Sequence, residues 1–249
     1  MARLRRSDLA RMALRASLLQ ATWTYERQQG LGWAWSLAPA LRRLYPDHDE
    51  RCARLAEHTA YFNSQPTLAS LALGAVAALE ERRAAGEGPD ATGMLRVRSV
   101  LGASLAALGD RLFWLTLRPF AACLGVLFAM GGTWRGALVM WLCYNVVHQS
   151  LRFAGVGLGY REGPAVVSEA RRARLDRLTR LLCLGGSVVI GVLVAVLLVP
   201  GGNPRPIVFQ ATLTAGLGLG LIVAQRPRPS PTEWALGVGA LCLIAAWWR

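Results

Sequence analysis

The sequence contains no lysine. All 28 basic residues of the 249-residue chain are arginines, and with only 15 acidic residues the formal net charge is +13. A nucleic-acid-binding protein of this charge would gather its arginines on a solvated face, with aromatic residues between them for stacking. Here the arginines flank or interrupt long apolar runs. The arrangement argues against a nucleic-acid partner and favours a membrane protein, whose basic residues set its orientation.

Cysteine is scarce, and the motifs of metal and hydrolytic chemistry are missing. No HExxH or GxSxG string occurs, and no cysteine pair has the CxxC spacing. We therefore expect no metal site, no cofactor and no catalytic residue. The cysteines are widely separated, four of them in apolar segments, which is typical of buried free thiols: Cys52, Cys123, Cys143, Cys183 and Cys242.

A signal peptide is not apparent, because Arg11 and Arg15 interrupt the stretch that would form its apolar core. We expect the N-terminus to stay in the cytoplasm. Between residues 7 and 29 apolar positions recur at spacings of three and four, which predicts an amphipathic helix that Ser7 caps and Gly30 ends. Such a basic helix would lie in the lipid headgroup plane or pack against a neighbouring helix.

Long uninterrupted apolar runs are rare in the first two thirds of the chain. Residues 68–79 are apolar, but about a dozen residues cannot cross a hydrocarbon core of ~30 Å, which needs roughly 20 helical residues. We predict a buried or re-entrant half-helix there. Residues 100–117 form a second apolar segment, broken by Gly109, Asp110 and Arg111. Because charges in lipid are costly, these side chains should face the protein interior or an aqueous cavity.

Candidate membrane spans become clearer towards the C-terminus. Residues 120–144 form either one span or a helix pair, because Gly131-Gly132 and Arg135 interrupt the second half. Residues 181–199 carry no charge, and two further apolar segments follow, at 207–224 and 234–248. The positive-inside rule would hold the basic residues of 161–180, with Arg226 and Arg228, in the cytoplasm and leave the C-terminus in the periplasm.

These patterns predict an all-α integral membrane protein. It would have N-terminal amphipathic helices, re-entrant or broken helices in the middle, and about three transmembrane segments at the C-terminal end. We divide it into three regions: residues 1–60, an amphipathic and largely cytoplasmic-side helical region; residues 61–160, a re-entrant core; and residues 161–249, a basic linker with the C-terminal transmembrane helices.

Four strings, taken in order, resemble those of one known family, and we number them as family strings. The first is LLQATWTYER at residues 18–27, followed by PALRRLYP at 39–46; the second is FNSQPTLAS at 62–70; the third is GDRLFWLTLRP at 109–119. The fourth comprises Asn145, His148, Arg152, Gly155 and Gly159-Tyr160. The set resembles the IID subunit of the mannose/fructose/sorbose type of bacterial phosphotransferase permease, whose second and third strings read FNTHPYLAS and GDSLFWGTLRP.

The resemblance implies a multi-pass protein of the bacterial inner membrane with no catalytic role of its own. Such a subunit pairs with a IIC membrane subunit to form a sugar channel or carrier, as a trimer of IIC–IID heterodimers in contact with membrane lipid. Separate IIA and IIB proteins phosphorylate the hexose-type sugar as it is delivered. The implied function is that of a permease half.

The chain departs from the family strings at several positions. Gln65 stands where the family has histidine, Ser64 where it has threonine, and Arg111 where it has serine. Residues 103–107 lack two glycines and a proline of the family's GPLAG pattern. The departures leave a second hypothesis open: a degenerate IID paralogue with a regulatory or docking role and no sugar transport.

A neutral sugar is recognised by neutral hydrogen-bonding groups and aromatic faces, without a metal or a nucleophile. Asn63, Ser64 and Gln65 offer such groups where the apolar segment 68–79 begins and where the first N–H groups of a helix lack partners. They would line the sugar route, cap the helix or contact another subunit. Trp114 would stack on a sugar or lie at the membrane interface.

Charged and polar residues of the third and fourth strings should serve structure or gating. Asp110, also a candidate sugar-binding group, is expected to pair with Arg111 or Arg118, because an unpaired carboxylate in apolar surroundings is strongly penalised. His148, near Asn145, is expected to be a hydrogen-bonded structural residue. Three arginines inside apolar stretches are predicted to be buried and to need partners: Arg111, Arg118 and Arg152.

Overall fold

The computed structural model describes residues 3–198, and within this range the protein is built from helices. The chain divides into two compact units, Met1–Leu193 and Val194–Arg249, and the packing described below is that of the first. Eight α-helices follow one another in the described range: α1 (Arg6–Ala16), α2 (Gly30–Leu44), α3 (His48–His58), α4 (Ala69–Ala84), α5 (Ala91–Gly109), α6 (Arg118–Ala129), α7 (Arg135–Glu162) and α8 (Glu169–Leu198).

Two segments of other helical types complete the described range. A π-helical segment, Asp110–Leu117, joins α5 to α6, and a 3₁₀ helix, Gly163–Val167, precedes α8. The β-structure of residues 3–198 is limited to isolated backbone bridges at Gln28. The all-α prediction is therefore confirmed.

The amphipathic helix predicted near the N-terminus is present as α1, but it is shorter than predicted. It ends at Ala16, and residues 17–29 form turns and short irregular segments. Ser7 lies inside the first turn, and the capping position is Arg5. The apolar face around Met12 is buried against α2 and α7. Of the two placements left open by the sequence, α1 therefore adopts the one packed against neighbouring helices.

Gly30 begins α2 instead of ending α1, which corrects the predicted helix end. A methyl group at this position would overlap the carbonyl oxygen of Ala60, so the close approach of the chain after α3 requires glycine. A turn at residues 45–47 separates α2 from α3. There Asp47 Oδ1 accepts a hydrogen bond from the backbone N–H of Glu50 over 2.8 Å and caps α3.

The central helix of the described fold is α4, which corresponds to the apolar segment predicted to form a buried half-helix. Its first nine residues are all buried. It packs along α7 with the two backbones in close approach. A methyl group at Gly74 would overlap the Val156 carbonyl oxygen, and one at Gly159 would overlap that of Leu71. Small residues at such contacts are a common packing device of helices in membranes.

The break predicted at residues 109–111 is a change of helical type and not an interruption. Helix α5, the π-helical segment and α6 run continuously over Ala91–Ala129. This is the one helix within residues 3–198 that is long and apolar enough to cross a membrane. Widened π-helical turns are rare and often lie at functional sites. The third family string begins with the last residue of α5 and occupies this widened segment.

Residues 120–144 form a helix pair and not a single span. Helix α6 ends at Ala129, and Gly132, with a φ of +72°, lies in the turn before α7. A methyl group at Gly136 would overlap the Gly125 carbonyl oxygen, so glycines let the two helices approach closely. The hairpin exposes several large apolar side chains: Val126, Phe128, Met130, Trp134, Leu138 and Trp141.

Helix α8 includes all but the last residue of the predicted span 181–199. The spans predicted at 207–224 and 234–248, like the C-terminus and Cys242, lie outside the described residues. The four cysteines of the described range are free, but the prediction that they are buried is wrong: Cys52 and Cys183 are exposed, and Cys123 and Cys143 are half-buried.

Candidate functional site

The second family string is held against α5 and the start of α2 by buried hydrogen bonds. Ser64 Oγ donates to the Gly102 carbonyl oxygen over 3.0 Å, and the Ser64 backbone N–H donates to Gln29 Oε1 over 3.2 Å. The Gln29 side-chain amide donates back to the Ser64 carbonyl oxygen over 2.8 Å. Ser64 is therefore engaged in contacts within the protein, whereas the neighbouring Asn63 is exposed.

Gln65 caps the start of α4. Its Oε1 accepts hydrogen bonds from the backbone N–H groups of Thr67 over 2.8 Å and Leu68 over 2.9 Å. These two N–H groups, which we expected to be available to a ligand, therefore already have a partner within the chain. The geometry of Gln65 matches the capping alternative, and its contact with a sugar stays a prediction.

The third family string meets the second at Gly109. A methyl group at this position would overlap the Gln65 side chain. Glycine therefore lets the boundary between α5 and the π-helical segment lie directly beside the capped start of α4. Asp110, the next residue, is exposed.

The fourth family string reaches the same place through His148. Its Nδ1 lies 2.7 Å from the hydroxyl oxygen of Thr67. The imidazole stacks on Tyr144 with ring centroids 5.3 Å apart, and Phe113 of the third string meets it edge to face at 5.8 Å. Three family strings that are distant in the sequence thus converge around the start of α4. We call this meeting point, formed by Gln65, Thr67, Gly109 and His148, the junction. The surroundings of His148 fit the structural role expected for it.

A cleft of about 500 Å³ opens beside this junction, between the π-helical segment, α6 and α7. Three predicted site residues line it, namely Trp114, Arg118 and Asn145. The Arg118 guanidinium lies over the Trp114 ring, 5.2 Å from its centroid. Trp114 and Trp141 form aromatic walls, and Tyr144 and Asn145 supply hydrogen-bonding atoms. The cleft combines the two kinds of group that suit a neutral sugar.

The predicted ion pair of Asp110 is wrong. Within residues 3–198 Asp110 makes no ion pair with Arg111 or Arg118, and it is exposed. Arg111 Nη1 instead lies 3.2 Å from Asp176 Oδ1 of α8, with 55% of the arginine side chain exposed. Arg118 is exposed as well. The pairing and the burial of both arginines were predicted from the apolar surroundings of these residues in the sequence, whereas Asp110 and Arg118 lie on the surface of the described fold.

Arg152 is the one of the three predicted arginines that is buried. It is 9% exposed, and its Nη1 reaches the Ser17 carbonyl oxygen over 3.5 Å. Its Nε has no hydrogen-bond partner in the part of the chain that the structure describes. The side chain joins α7 to the segment that follows α1.

Arg98, the most buried arginine among residues 3–198, was not predicted from the sequence. It is 1% exposed, and its guanidinium donates to the carbonyl oxygens of His58, Ala60 and Tyr61 over 3.0, 2.5 and 2.7 Å. A cation here satisfies carbonyl groups at and beyond the C-terminal end of α3. The helical spacing carried a signal, because position 98 shares its face with three buried apolar residues: Met94, Leu101 and Leu105.

A buried polar cluster at the far end of α4 was also missed. Glu80 is fully buried, with Oε1 3.0 Å from His58 Nε2 and Oε2 accepting a hydrogen bond from the Tyr45 hydroxyl over 2.7 Å. Arg83 Nη1 lies 3.4 Å from Glu80 Oε1 and donates to Glu57 Oε2 over 2.6 Å. We call these five residues the Glu80 cluster. They join the end of α2, helix α3 and α4.

The ionisation of the Glu80 cluster follows from its contacts. Burial alone would raise the pKa of Glu80, but the hydrogen bonds from His58 and Tyr45 and the charges of His58 and Arg83 together lower it. In Tyr45, burial and the hydrogen bond to Glu80 raise the pKa of the phenol. The cluster is therefore built around an ionised carboxylate and a neutral phenol.

Comparisons with known proteins agree with the four family strings. A family profile described as "PTS system mannose/fructose/sorbose family IID component" matches residues 3–200. The chain is 38% identical over 193 residues to the mannose-specific EIID component of Escherichia coli, an alignment that covers 77% of this chain and 68% of that protein. It is 37% identical over 187 residues to the sorbose-specific EIID component of Klebsiella pneumoniae, covering 75% and 68%.

The fold is similar to that of a solved transporter chain. A cryo-EM structure of the mannose transporter ManYZ in complex with a microcin contains a chain that matches with a TM-score of 0.64 and 30% sequence identity. The match covers 99% of this chain and 97% of that chain. Sequence and fold give the same assignment. The protein therefore belongs to the IID components of the mannose/fructose/sorbose family of the phosphotransferase system and is a membrane subunit of a sugar permease.

Proposed function

We propose that this IID component forms, with a IIC subunit, the unit through which a hexose-type sugar crosses the bacterial inner membrane. Separate IIA and IIB proteins supply the phosphoryl group, and the membrane subunits act as a trimer of IIC–IID heterodimers. One observation carries the proposal: three family strings converge around the start of α4. The Gln65 side chain packs against Gly109, and the Thr67 hydroxyl is hydrogen-bonded to His148.

The contacts of the junction support binding and passage of a sugar without catalysis by this chain. His148 is hydrogen-bonded to Thr67 and stacked on Tyr144, so its imidazole is fixed by its neighbours. The adjacent cleft offers the Trp114 ring and the Asn145 amide, which suit the C–H faces and hydroxyl groups of a neutral sugar. The phosphoryl chemistry then belongs to IIA and IIB.

The charge distribution supports one orientation in the membrane. Arginines are concentrated at the N-terminus and in the first part of α8, where Arg171, Arg172 and Arg174 follow one another closely. Under the positive-inside rule both regions lie in the cytoplasm. A multi-pass chain with a cytoplasmic N-terminus and a periplasmic C-terminus satisfies this arrangement.

The experiment is sugar uptake by cells that lack their own mannose-family IID protein and express this chain with its IIC, IIA and IIB partners. We expect uptake of at least one labelled hexose from a panel of mannose, fructose and sorbose, and only when this chain is present. Copurification with IIC checks assembly. If the complex assembles and no sugar enters, transport is contradicted and the docking or regulatory hypothesis gains support.

A matched pair of variants tests the sugar route itself. Asn63 is exposed beside the junction, and Tyr61 is an exposed neighbour just outside the second family string. We expect Asn63→Ala to lower uptake severalfold at an unchanged membrane level, and Tyr61→Ala to leave uptake unchanged. Normal uptake by Asn63→Ala would remove Asn63 from the route.

A further inference from the structure

A second cavity lies between α1 and α7. It has a volume of about 670 Å³ and is lined by both helices, a size typical of ligand pockets. The helices run antiparallel beside it. The Leu4 backbone N–H and the Tyr160 hydroxyl both donate to Glu81 at one end, whereas Arg152 reaches Ser17 at the other. We call this cavity the α1–α7 groove.

The two ends of the α1–α7 groove differ in chemistry. Arg3 and Arg6 at the start of α1 lie at the same end as Arg161 in the last turn of α7. The walls further along are apolar and include Leu9, Ala13 and Phe153. The groove is therefore amphipathic, with guanidinium groups at one end and hydrocarbon along the rest.

The positive charge at the groove is not neutralised within the described chain. Arg6 and Arg161 are exposed, and neither has a carboxylate oxygen within 4 Å among residues 3–198. Arg3 Nε lies 3.8 Å from Glu81 Oε1. Glu81 also accepts hydrogen bonds from Leu4 and Tyr160. Arg3 therefore shares its carboxylate with two other donors, and the charges of Arg6 and Arg161 have no carboxylate within 4 Å in the described range.

The floor of the groove is open at Gly157. A methyl group there would meet no atom within 4 Å, whereas methyl groups at Gly155 and Gly159 would overlap α4. The same helix thus packs tightly on one face and leaves space on the other. A flexible chain can lie over Gly157 without displacing the protein.

We propose that the α1–α7 groove binds one anionic phospholipid. Its phosphate lies between Arg6 and Arg161, whose planar guanidinium groups match phosphate oxygens in paired hydrogen bonds. One acyl chain follows the apolar wall past Leu9 and Phe153, where its burial removes hydrocarbon from water. A soluble anion would leave this wall uncovered, and a neutral lipid would leave the arginines without a counter-charge.

The test measures lipid binding to the full-length protein in a neutral detergent by native mass spectrometry. Dioleoyl phosphatidylglycerol, dioleoyl phosphatidylcholine and inorganic phosphate are titrated separately. We expect one phosphatidylglycerol to bind in preference to phosphatidylcholine. Removing both charges in Arg6→Gln/Arg161→Gln should weaken its binding roughly thirtyfold, from the typical contribution of an arginine near an anionic lipid surface.

Two further variants separate shape from charge. Gly157→Leu fills the open floor and should also reduce phosphatidylglycerol binding. Arg42→Gln/Arg96→Gln removes two exposed arginines outside the groove and should leave the binding unchanged. These exposed positions make no hydrogen bond or ion pair within residues 3–198, so the fold should survive the changes.

Several results would overturn the proposal. Equal binding of phosphatidylcholine, an unchanged affinity in Arg6→Gln/Arg161→Gln, or equal losses in the control double variant would each do so. Binding of inorganic phosphate with the same affinity would show an anion site without a lipid tail. Loss of IIB binding in Arg6→Gln/Arg161→Gln, with phosphatidylglycerol binding intact, would assign the groove to a protein. No sugar is present in these measurements, so failure here leaves the transport proposal standing.

Discussion

The two ends of α4 are held in place by different means. Near its start the helix meets α7 through small residues, and methyl groups at Gly74, Gly155 or Gly159 would overlap atoms of the facing helix. At its far end the buried carboxylate of Glu80 is hydrogen-bonded to the side chains of Tyr45 and His58. The packing at the first end requires glycines, which have no side chain, and the packing at the second end requires the charged side chain of Glu80.

The two ends should therefore be destabilised by different kinds of change. A helix contact based on shape tolerates changes of pH and salt but no added methyl group, because the backbones already touch. A buried ionic cluster tolerates little loss of charge, because every member then loses a partner. Substitutions and pH changes should therefore affect the two ends separately.

The largest effect is expected at the polar end. Glu80→Ala leaves His58, Tyr45 and Arg83 without their shared acceptor, which should lower the free energy of unfolding by about 3–5 kcal/mol. Chemical unfolding of the purified protein in mixed micelles measures it. Glu87→Ala, at an exposed site soon after α4, is the matched control and should change stability little. Similar losses in the two variants would contradict the role of the Glu80 cluster.

The next effect is expected at the shape-dependent end. Gly159→Ala places a methyl group against the Leu71 carbonyl oxygen and should cost about 1–3 kcal/mol of stability. Gly157→Ala, two residues away on the open face, should instead be neutral or stabilise the helix by about 0.5–1 kcal/mol. Thermal unfolding of the pair measures the contrast. Equal melting temperatures would show that α4 and α7 do not depend on close backbone contact.

A smaller effect should appear with pH, and only at the polar end. Because the pKa of Glu80 is lowered in the folded protein, its stabilisation is full above the ordinary glutamate pKa and is lost as the pH falls below it. The raised pKa of Tyr45 gives the opposite dependence, a loss as the pH rises above the ordinary tyrosine pKa. Melting temperatures across pH should form a plateau with two flanks.

Conservative variants assign the two flanks of that pH profile. Glu80→Gln should flatten the acidic flank, and Tyr45→Phe the alkaline one. A profile of Gly159→Ala should keep both flanks at a lower melting temperature. If Glu80→Gln left the acidic flank unchanged, another carboxylate would have to cause it.

The smallest effect is expected outside α4, at the ion pair of Arg111 with Asp176. Both side chains are partly exposed, at 55% and 32%, so the pair should contribute only about 0.2–1 kcal/mol and should weaken with salt. A double-mutant cycle with Arg111→Ala and Asp176→Ala measures this coupling. A coupling above about 2 kcal/mol would indicate a buried arginine, as the sequence had suggested.

The sequence was sufficient for features that depend on local pattern. Helical spacing predicted α1, the short apolar run predicted the buried α4, and the Gly131-Gly132 pair marked the turn between α6 and α7. The family strings identified the residues that converge at the junction. Each of these signals lies within a few neighbouring positions or in a complete string.

Pairings between distant residues were not predictable in this way. The burial of Glu80 was missed, although its spacing of seven from Leu73 and four from Val76 places it on the same buried face. Its partners come from α2 and α3, which no local pattern indicates. For the same reason Asp110 was expected to pair with Arg111 or Arg118, which are close to it in the sequence, whereas the partner of Arg111 is Asp176 on α8.

The central claim is that the converging family strings act as one unit in sugar transport, and the Thr67–His148 contact tests it most directly. Sugar uptake is measured for Thr67→Val, His148→Asn and the double variant at equal membrane levels. We predict that both single variants lower uptake. The double variant should lower it no further than the more impaired single variant, because all three remove the same contact. Normal uptake in either single variant, or losses that multiply independently, would contradict it.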